Sequence, residues 1–219
     1  MNPVASRQLV LERIHAATHS AQTALYAQLP RDYIRHGSLD RASVIQLMVS
    51  RLHEYGAEVT LSIPSNLPSA IAEQIHARSG RRTFVVPPGL QPDWPVPGAR
   101  FKVDRDLLHD EIEDCDGVIT EAFAGVADSG TIVLHHSATE GRRVISLLPD
   151  WHICILRSSQ VVETLPEYFV RCQPPPVLAT YISGPSATAD IEMTRIKGVH
   201  GPRFLSVVLV NDEGFSGNP

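Results

Sequence analysis

Polar and glycine residues gather after a short apolar run, Gly117 to Thr120, in a pattern that could line a ligand pocket. The next residue is a glutamate, and a carboxylate just past a strand end can reach into a cleft. Residues 128–131 then form a tight turn that leads into a second apolar run. An ordinary surface turn is the alternative interpretation. The candidate residues are Glu121 and Asp128 for catalysis, and Ser129, Gly130 and Thr131 for ligand binding.

Two adjacent arginines, Arg142 and Arg143, form a second candidate site. A guanidinium group can hold a carboxylate or a phosphate through two parallel hydrogen bonds. A glycine precedes the pair, and an apolar run that is typical of a buried strand begins soon afterwards at Trp151. The sequence leaves open whether the two arginines bind an anion or belong to a solvated charged turn.

A loop of small residues, 183–192, lies between two apolar runs, 177–182 and 204–210. This order predicts a strand, a glycine loop, a short helix and a second strand. Such a loop lets ligand atoms approach backbone N–H groups, and ligands of open α/β sheets bind at the carboxyl ends of strands. Asp190 and Glu192 in the first helical turn argue against a bare phosphate. The candidates are Ser183, Gly184, Ser186 and Thr188 for ligand binding and His200 for acid–base chemistry.

Several well-known motifs are absent from the sequence. It contains neither the ATP-binding G-x-x-x-x-G-K-[ST] loop nor the dinucleotide-binding G-x-G-x-x-G loop. His135 and His136 are neighbours on a predicted strand and would point to opposite faces, so we predict no metal site. Cys115, Cys154 and Cys172 are far apart and form no C-x-x-C pair, so we expect reduced, buried thiols. We predict that this chain binds no cofactor.

Composition restricts the classes of partner. The 219 residues are 43% hydrophobic and 20% charged, as in an ordinary folded protein with a core of its own. The net charge of -5 and the lack of a long basic run argue against nucleic acid or an anionic membrane as the main partner. Residues 1–20 lack a signal-peptide pattern, and no run approaches the roughly 18 apolar residues of a membrane span. We expect a cytoplasmic location and no membrane span.

Helical and extended patterns alternate along most of the chain, which predicts an α/β fold with a mostly parallel open sheet and flanking helices. Residues 57–86 read as a strand–helix–strand unit with a parallel strand pair. Strands without long helices between them, in residues 117–156, favour some antiparallel pairs. We predict a helical segment at 1–39 and an α/β domain at 40–219. The other predicted helices are 4–29, 41–55, 106–114 and 162–172, and the other strands are 117–120, 130–134, 151–157, 177–182 and 204–210.

Taken together and in this order, these sequence segments resemble those of the LUD-domain proteins of lactate utilisation. The resemblance is strongest to the small C-subunit (LutC or YkgG) type. The resemblance spans about residues 40–210 and depends most on residues 183–192 and 198–202. It implies a fold like that of sugar-phosphate isomerases and CoA transferases. It also implies a role beside two partner subunits that oxidise L-lactate to pyruvate. Members of that partnership carry iron–sulfur clusters, and we expect these on the partner subunits because this chain lacks the cysteines.

Three functional hypotheses follow. The leading one is an accessory or substrate-handling subunit of an iron–sulfur-dependent system for L-lactate oxidation. The second is a free-standing enzyme that acts on a small phosphorylated or acyl-CoA substrate with Glu121 or Asp128 as base, which depends on analogy of fold. The third is a non-catalytic regulatory domain that binds a small carboxylate through Arg142 or Arg143. All three require the turns around Thr131 and Ser186 to meet beside one cleft.

Overall fold

The computed structural model describes residues 3–18, 28–78, 82–90, 96–188, 196–197 and 201–214, with side chains except at 3–5, 188 and 196–197. The chain divides into two compact units, one through Ile34 and one from Arg35. The first unit contains helix α1 (Pro3–Thr18). This helix covers the start of the predicted helix 4–29, whose residues 19–27 lie outside the described ranges. The domain boundary at residue 39 stays a prediction.

A six-stranded sheet forms the centre of the second unit, and all its neighbouring strands are parallel. This confirms the predicted α/β class with a mostly parallel open sheet. In spatial order the strands are β1 (Glu58–Ser62), β12 (Phe204–Val210), β7 (Trp151–Arg157), β4 (Gly117–Glu121), β2 (Thr83–Val86) and β3 (Arg100–Val103).

Helices cover both faces of this sheet. Helix α2 (Arg41–Glu54) begins after Asp40, whose carboxylate accepts a hydrogen bond from Ser43 N at 3.0 Å. Its apolar side packs with Cys154 and Leu156 of β7. Helix α3 (Leu67–Ala77) packs on the other face, against the alternate residues of the same strand. Successive side chains of β7 point to opposite faces of the sheet, so this strand contributes to a hydrophobic core on each side.

A second, smaller sheet has four strands. It contains the antiparallel pairs that we predicted for residues 117–156. Strand β6 runs antiparallel to both β5 and β9, whereas β8 runs parallel to β5. The order in space is β8 (Val161–Val162), β5 (Ala124–Val126), β6 (Thr131–Leu134) and β9 (Thr180–Ile182). Two short helices, α4 (His109–Glu113) and α5 (Leu165–Arg171), fall within the two helices predicted there and are shorter.

Three predicted features differ from the structure. Strands β1 and β2 share the large sheet but are not paired, because the more apolar β12, β7 and β4 occupy the central positions between them. Strand β9 belongs to the small sheet, and its burial alternates, as is typical of a strand with one solvated face. Residues Ala187–Thr188 form β10, antiparallel to β11 (Ile196–Lys197), where we predicted a helix start. Asp190 and Glu192 lie outside the described residues.

None of the helices in the described part of the chain has the length and apolar surface needed to traverse a lipid bilayer.

Candidate functional site

A cleft of about 350 Å³ is lined by residues of both sheets. This volume lies at the lower end of the range of about 300–1,000 Å³ that is typical of small-molecule sites. One wall is strand β9 with the loop that follows it, and another is the single helical turn Arg143–Ser146. The floor includes His152 of β7 and Leu205 of β12.

The cleft lies near the amino-terminal ends of the central parallel strands. His152 and Leu205 are each the second residue of their strand and are directly paired across the sheet. We predicted a site at the carboxyl ends of strands, and this holds only for β9, which ends where the loop at Ser183 begins. The difference arises because β9 belongs to the small sheet, so its carboxyl end does not coincide with the carboxyl edge of the large sheet.

The two glycine turns predicted to converge do meet. Thr131 Oγ1 lies 2.8 Å from Ser183 Oγ and also 2.8 Å from Ser129 Oγ. Ser183, Gly184 and Ser186 line the cleft, whereas Thr131 is not among the lining residues and contacts the loop through Ser183. Gly184 has a φ of +87°, and a Cβ at this position would lie only 2.6 Å from the Cβ of Tyr55. This backbone conformation and this close approach both require glycine.

A chain of hydrogen bonds holds Arg143 at the cleft. His136 Nδ1 lies 2.9 Å from the carbonyl oxygen of Gly141, which can only accept, so Nδ1 carries the proton. In the tautomer with its proton on Nδ1, the ring accepts at Nε2 from the hydroxyl of Thr180, at 2.8 Å. With its proton used in this way, Thr180 Oγ1 accepts from Arg143 Nη1 at 3.0 Å. The direction of each bond is thereby fixed, and Arg143 is positioned by a buried threonine.

Arg143 gives the cleft a positive character. Among the described residues that line the cleft, it is the one side chain that carries a full charge at neutral pH, and no described carboxylate forms an ion pair with it. Arg142 differs, since its guanidinium donates to both carboxylate oxygens of the buried Asp104, at 2.8 and 2.5 Å. This hydrogen bonding to Asp104 raises the pKa of Arg142. Arg142 is not among the lining residues.

His152 contributes a buried ring to the cleft, with 1% of its surface exposed. Its Nε2 lies 2.8 Å from Thr120 Oγ1, and burial lowers the pKa of His152 to about 4, so the ring is neutral at pH 7. Thr120 Oγ1 is also 4.0 Å from the sulfur of Cys154, and burial raises the pKa of that thiol to about 12. We did not predict His152 as a site residue. The available signal was a histidine within the apolar run 151–156.

The two carboxylates predicted as catalytic lie away from the lining residues. Glu121 forms an ion pair with Arg157, with 3.1 Å between Oε1 and Nη2. Asp128 lies in the turn before β6, where its carbonyl oxygen accepts from Arg51 Nε at 3.2 Å. Gly130, in the same turn, packs directly on Arg51. Catalytic roles for these carboxylates stay predictions.

The side chains of two other candidates, Thr188 and His200, lie outside the described set. The backbone of Thr188 lies in β10, but its side chain is outside the described set, and His200 lies outside the described residues altogether. In the part of the chain that the structure describes, no three histidine, cysteine, aspartate or glutamate residues are grouped as metal ligands would be. The structure therefore brings together Arg143, Ser183, Gly184 and Ser186, and adds His152 and Thr180 to them.

Comparison with known proteins agrees with the fold. The family model described as the LUD domain matches residues 9–210. The chain is 39% identical over 179 residues to "Lactate utilization protein C" of Deinococcus radiodurans, covering 78% of this chain and 82% of that protein. It is 35% identical over 134 residues to the Bacillus subtilis protein of the same name, covering 56% and 55% of the two chains.

A solved structure is similar as well. The crystal structure of a DUF162 family protein from Deinococcus radiodurans superposes with a TM-score of 0.66 at 34% sequence identity, covering 79% of this chain and 99% of that one. The family model covers nearly the whole second unit, including every described residue of the cleft. The chain therefore belongs to the LUD domain family.

Proposed function

We propose that this protein serves in lactate utilisation as a subunit that binds a small carboxylate in the cleft, while partner proteins carry the iron–sulfur clusters. The relatives named "Lactate utilization protein C" support the process. The observation that carries the role of the cleft is Arg143, which is fixed by Thr180 in a small cleft without a described carboxylate partner.

The physical argument for a carboxylate is electrostatic. The cleft combines the guanidinium of Arg143 with the hydroxyl group of Ser183 and with the neutral ring of His152, whereas the hydroxyl of Ser146 donates to the carbonyl oxygen of Arg143. An anion of one charge that accepts several hydrogen bonds matches this set of donors. Because Arg143 is already oriented by Thr180, less side-chain entropy is lost when the ligand binds.

The location of the clusters on partners is supported by the positions of the three thiols. Cys115, Cys154 and Cys172 are all buried, and each belongs to a different hydrophobic cluster of the described residues. Thiolate ligands of one cluster must converge on a common centre. Clusters used in lactate oxidation would then reside on other chains, as the resemblance implies.

Binding is tested by titrating the full-length chain with L-lactate in a calorimeter. We expect saturable binding in the wild type and a loss of at least about tenfold in affinity in Arg143→Gln, since a charge-assisted hydrogen bond is removed. Arg105→Gln is the matched control, because Arg105 is exposed and does not line the cleft. Equal affinity of both variants would contradict a role for Arg143.

The role in the cell is tested by deleting the gene and restoring it as wild type or Arg143→Gln. We expect growth on L-lactate to fail in the deletion strain and in the Arg143→Gln strain, and to recover with the wild type. A tagged wild-type chain should co-purify with iron–sulfur proteins. Normal growth of the deletion strain together with tight carboxylate binding would instead select the regulatory-domain hypothesis. No observation favours the free-standing enzyme, because neither Glu121 nor Asp128 is among the lining residues.

A further inference from the structure

We propose that the cleft also binds the carboxyl terminus of a partner polypeptide, which adds as an antiparallel strand to the open edge of β9 and places its terminal carboxylate on Arg143. The inference goes beyond the proposed function, because it assigns a macromolecular ligand to a cleft that was proposed to hold a small carboxylate. Both ligands carry a carboxylate, but only the polypeptide forms main-chain hydrogen bonds along β9.

The cleft lies along the edge of β9 rather than over one of its faces. All three residues of this strand, Thr180–Ile182, line the cleft. Successive side chains of a strand point to opposite faces of the sheet, so three consecutive residues border one cleft only along an edge. Strand β6 pairs with the other edge of β9, and none of the described lining residues belongs to β6. The cleft therefore borders the edge of β9 that has no strand partner in the described part of the chain.

The middle residue of the strand, Tyr181, contributes its main chain to the cleft. Its side chain extends toward α5, where its hydroxyl lies 3.3 Å from that of Tyr168, whereas Thr180 extends to the opposite face. Among the described residues, no backbone hydrogen bond outside the ladder with β6 involves this strand. In an antiparallel pair, alternate residues direct both N–H and C=O away from the partner strand. Such an edge is a template for one more strand.

The position of Arg143 sets the direction of the added strand. Its guanidinium lies 3.0 Å from the hydroxyl of Thr180, the first residue of β9. An antiparallel strand ends beside the first residue of its neighbour, whereas a parallel strand would end near Ile182. A terminal carboxylate therefore meets Arg143 only in the antiparallel orientation. The charges are complementary, because none of the described ion pairs includes Arg143.

The apolar residues of the cleft favour an apolar residue at the end of the polypeptide. Leu147, Pro202 and Leu205 line the cleft together with Ile182 of β9. Removal of apolar surface from water contributes about 25 cal/mol per Å². A side chain next to the terminal carboxylate covers this surface, and a small acid covers little of it.

The test uses synthetic hexapeptides with every combination of the two final residues, each made with a free carboxyl terminus and as the amide. They are immobilised through the amino terminus and probed with the full-length protein at pH 7. We expect binding to peptides with a free carboxylate and an apolar last residue. The amides should bind at least about tenfold more weakly, because a charge-assisted hydrogen bond is lost. Binding to no peptide, or equal binding to acids and amides, overturns the inference.

The strand pairing is tested by changing the peptide, so no protein variant has to fold. In the peptide that binds most tightly, successive main-chain nitrogens are methylated one at a time, and affinity is measured by fluorescence anisotropy. Only alternate N–H groups face β9. Methylation should therefore weaken binding by about 3- to 10-fold at one position and change it little at the next. Equal effects at neighbouring positions overturn the addition of a strand.

The outcomes also separate this inference from the proposed function. Arg143→Gln should lose the preference for the acid over the amide, and the control Arg105→Gln, which is exposed and outside the cleft, should keep it. Full preference in Arg143→Gln overturns the inference. Binding of L-lactate without binding of any peptide overturns the inference and leaves the proposed function intact. Binding of peptides without binding of L-lactate supports the inference and contradicts the proposed function.

Discussion

The guanidinium groups of Arg142 and Arg143 have different surroundings although the residues are adjacent. Arg142 pairs with Asp104, which is 3% exposed, whereas Arg143 contacts the hydroxyl of Thr180 and the open cleft. Arg142→Gln leaves a buried carboxylate without its counter-ion, so stability should fall. Arg143→Gln leaves no buried charge unpaired among the described residues, so ligand binding should fall without a large change in stability.

These two substitutions give a paired prediction. In urea denaturation, Arg142→Gln should lower the free energy of unfolding by about 1–3 kcal/mol, less than for a fully buried pair because Arg142 is partly solvated. Arg143→Gln should stay within about 0.5 kcal/mol of the wild type. In calorimetry the order should reverse, with only Arg143→Gln losing carboxylate affinity. Equal effects of the two changes in both assays would contradict the separation of roles.

Thr180 permits a second prediction, on positioning. Its hydroxyl joins His136 to Arg143, so Thr180→Val keeps the shape of the side chain but releases the guanidinium. Carboxylate affinity should fall by about 1–2 kcal/mol. Thr180→Ser keeps the hydroxyl and should restore most of the affinity, which a purely structural role would not explain. If Thr180→Ser binds as weakly as Thr180→Val, the hydroxyl is not the determinant.

At the scale of elements, two glutamates attach the segment before α2 to the start of α5. Glu163 accepts from the backbone N–H groups of Ser38 and Leu39, at 3.1 and 2.8 Å. Glu167 accepts from the N–H group of Gly37 at 3.0 Å and from two N–H groups of its own turn. Burial would raise the pKa of Glu167, but these hydrogen bonds lower it by more, so the pKa lies below its ordinary value of 4.5.

The lowered pKa of Glu167 predicts a pH dependence of stability. A carboxyl group with a lowered pKa in the folded state stabilises that state above its unfolded pKa, and this stabilisation is lost as the pH falls through the folded pKa. Glu167→Gln should therefore lower the free energy of unfolding by about 1–2 kcal/mol at pH 7. The gap to the wild type should close as the pH falls below 4.5.

The matched control for this change is Glu73→Gln, because Glu73 is exposed on α3 and has no described partner. Its free energy of unfolding should follow that of the wild type at every pH. A gap between Glu167→Gln and the wild type that stays constant under acid would show that the ionised carboxylate is not what stabilises the segment.

The elements that sequence patterns located best are those with continuous apolar runs. The strand at 151–157 was predicted with its observed limits, and so was the strand at 204–210, because both are buried on two faces in the parallel sheet. Strand order was not predictable from local pattern, since it depends on which runs compete for the centre. The extended residues 187–188 were missed because small residues after a glycine fit a helix start as well as a hairpin.

At the scale of the whole molecule, the core between α2 and the sheets also supports the cleft. Leu134 of β6 is fully buried in the cluster that contains Leu205, a floor residue of the cleft. Leu134→Ala should lower the free energy of unfolding by about 2–5 kcal/mol, because the loss of buried methyl groups leaves a cavity. Leu165→Ala is the comparison, since Leu165 is 43% exposed, and its effect should be within about 1 kcal/mol. Similar urea midpoints for both variants would contradict this location of the core.

The cleft itself was predictable in part. Local sequence predicts Ser183, Gly184 and Ser186 as binding residues, because a glycine beside hydroxyl residues is typical of a ligand-binding loop. It also predicts Arg143, because adjacent arginines are typical of an anion site. His152 and Thr180 were missed because their importance arises from pairing between distant segments, His152 with Thr120 and Thr180 with His136. Local spacing does not encode such pairings.

The last turn of α2 has a consequence for how this cleft can vary. Gly130 and Gly184 both lie close to this end of the helix. A Cβ added at Gly130 would lie 2.7 Å from the Cβ of Arg51, and one added at Gly184 would lie 2.6 Å from the Cβ of Tyr55. None of the described lining residues comes from α2, yet both turns pack against the end of this helix. A change in the size of the side chain at Arg51 or Tyr55 would therefore shift these two turns, and with them the cleft, while every described lining residue stays the same.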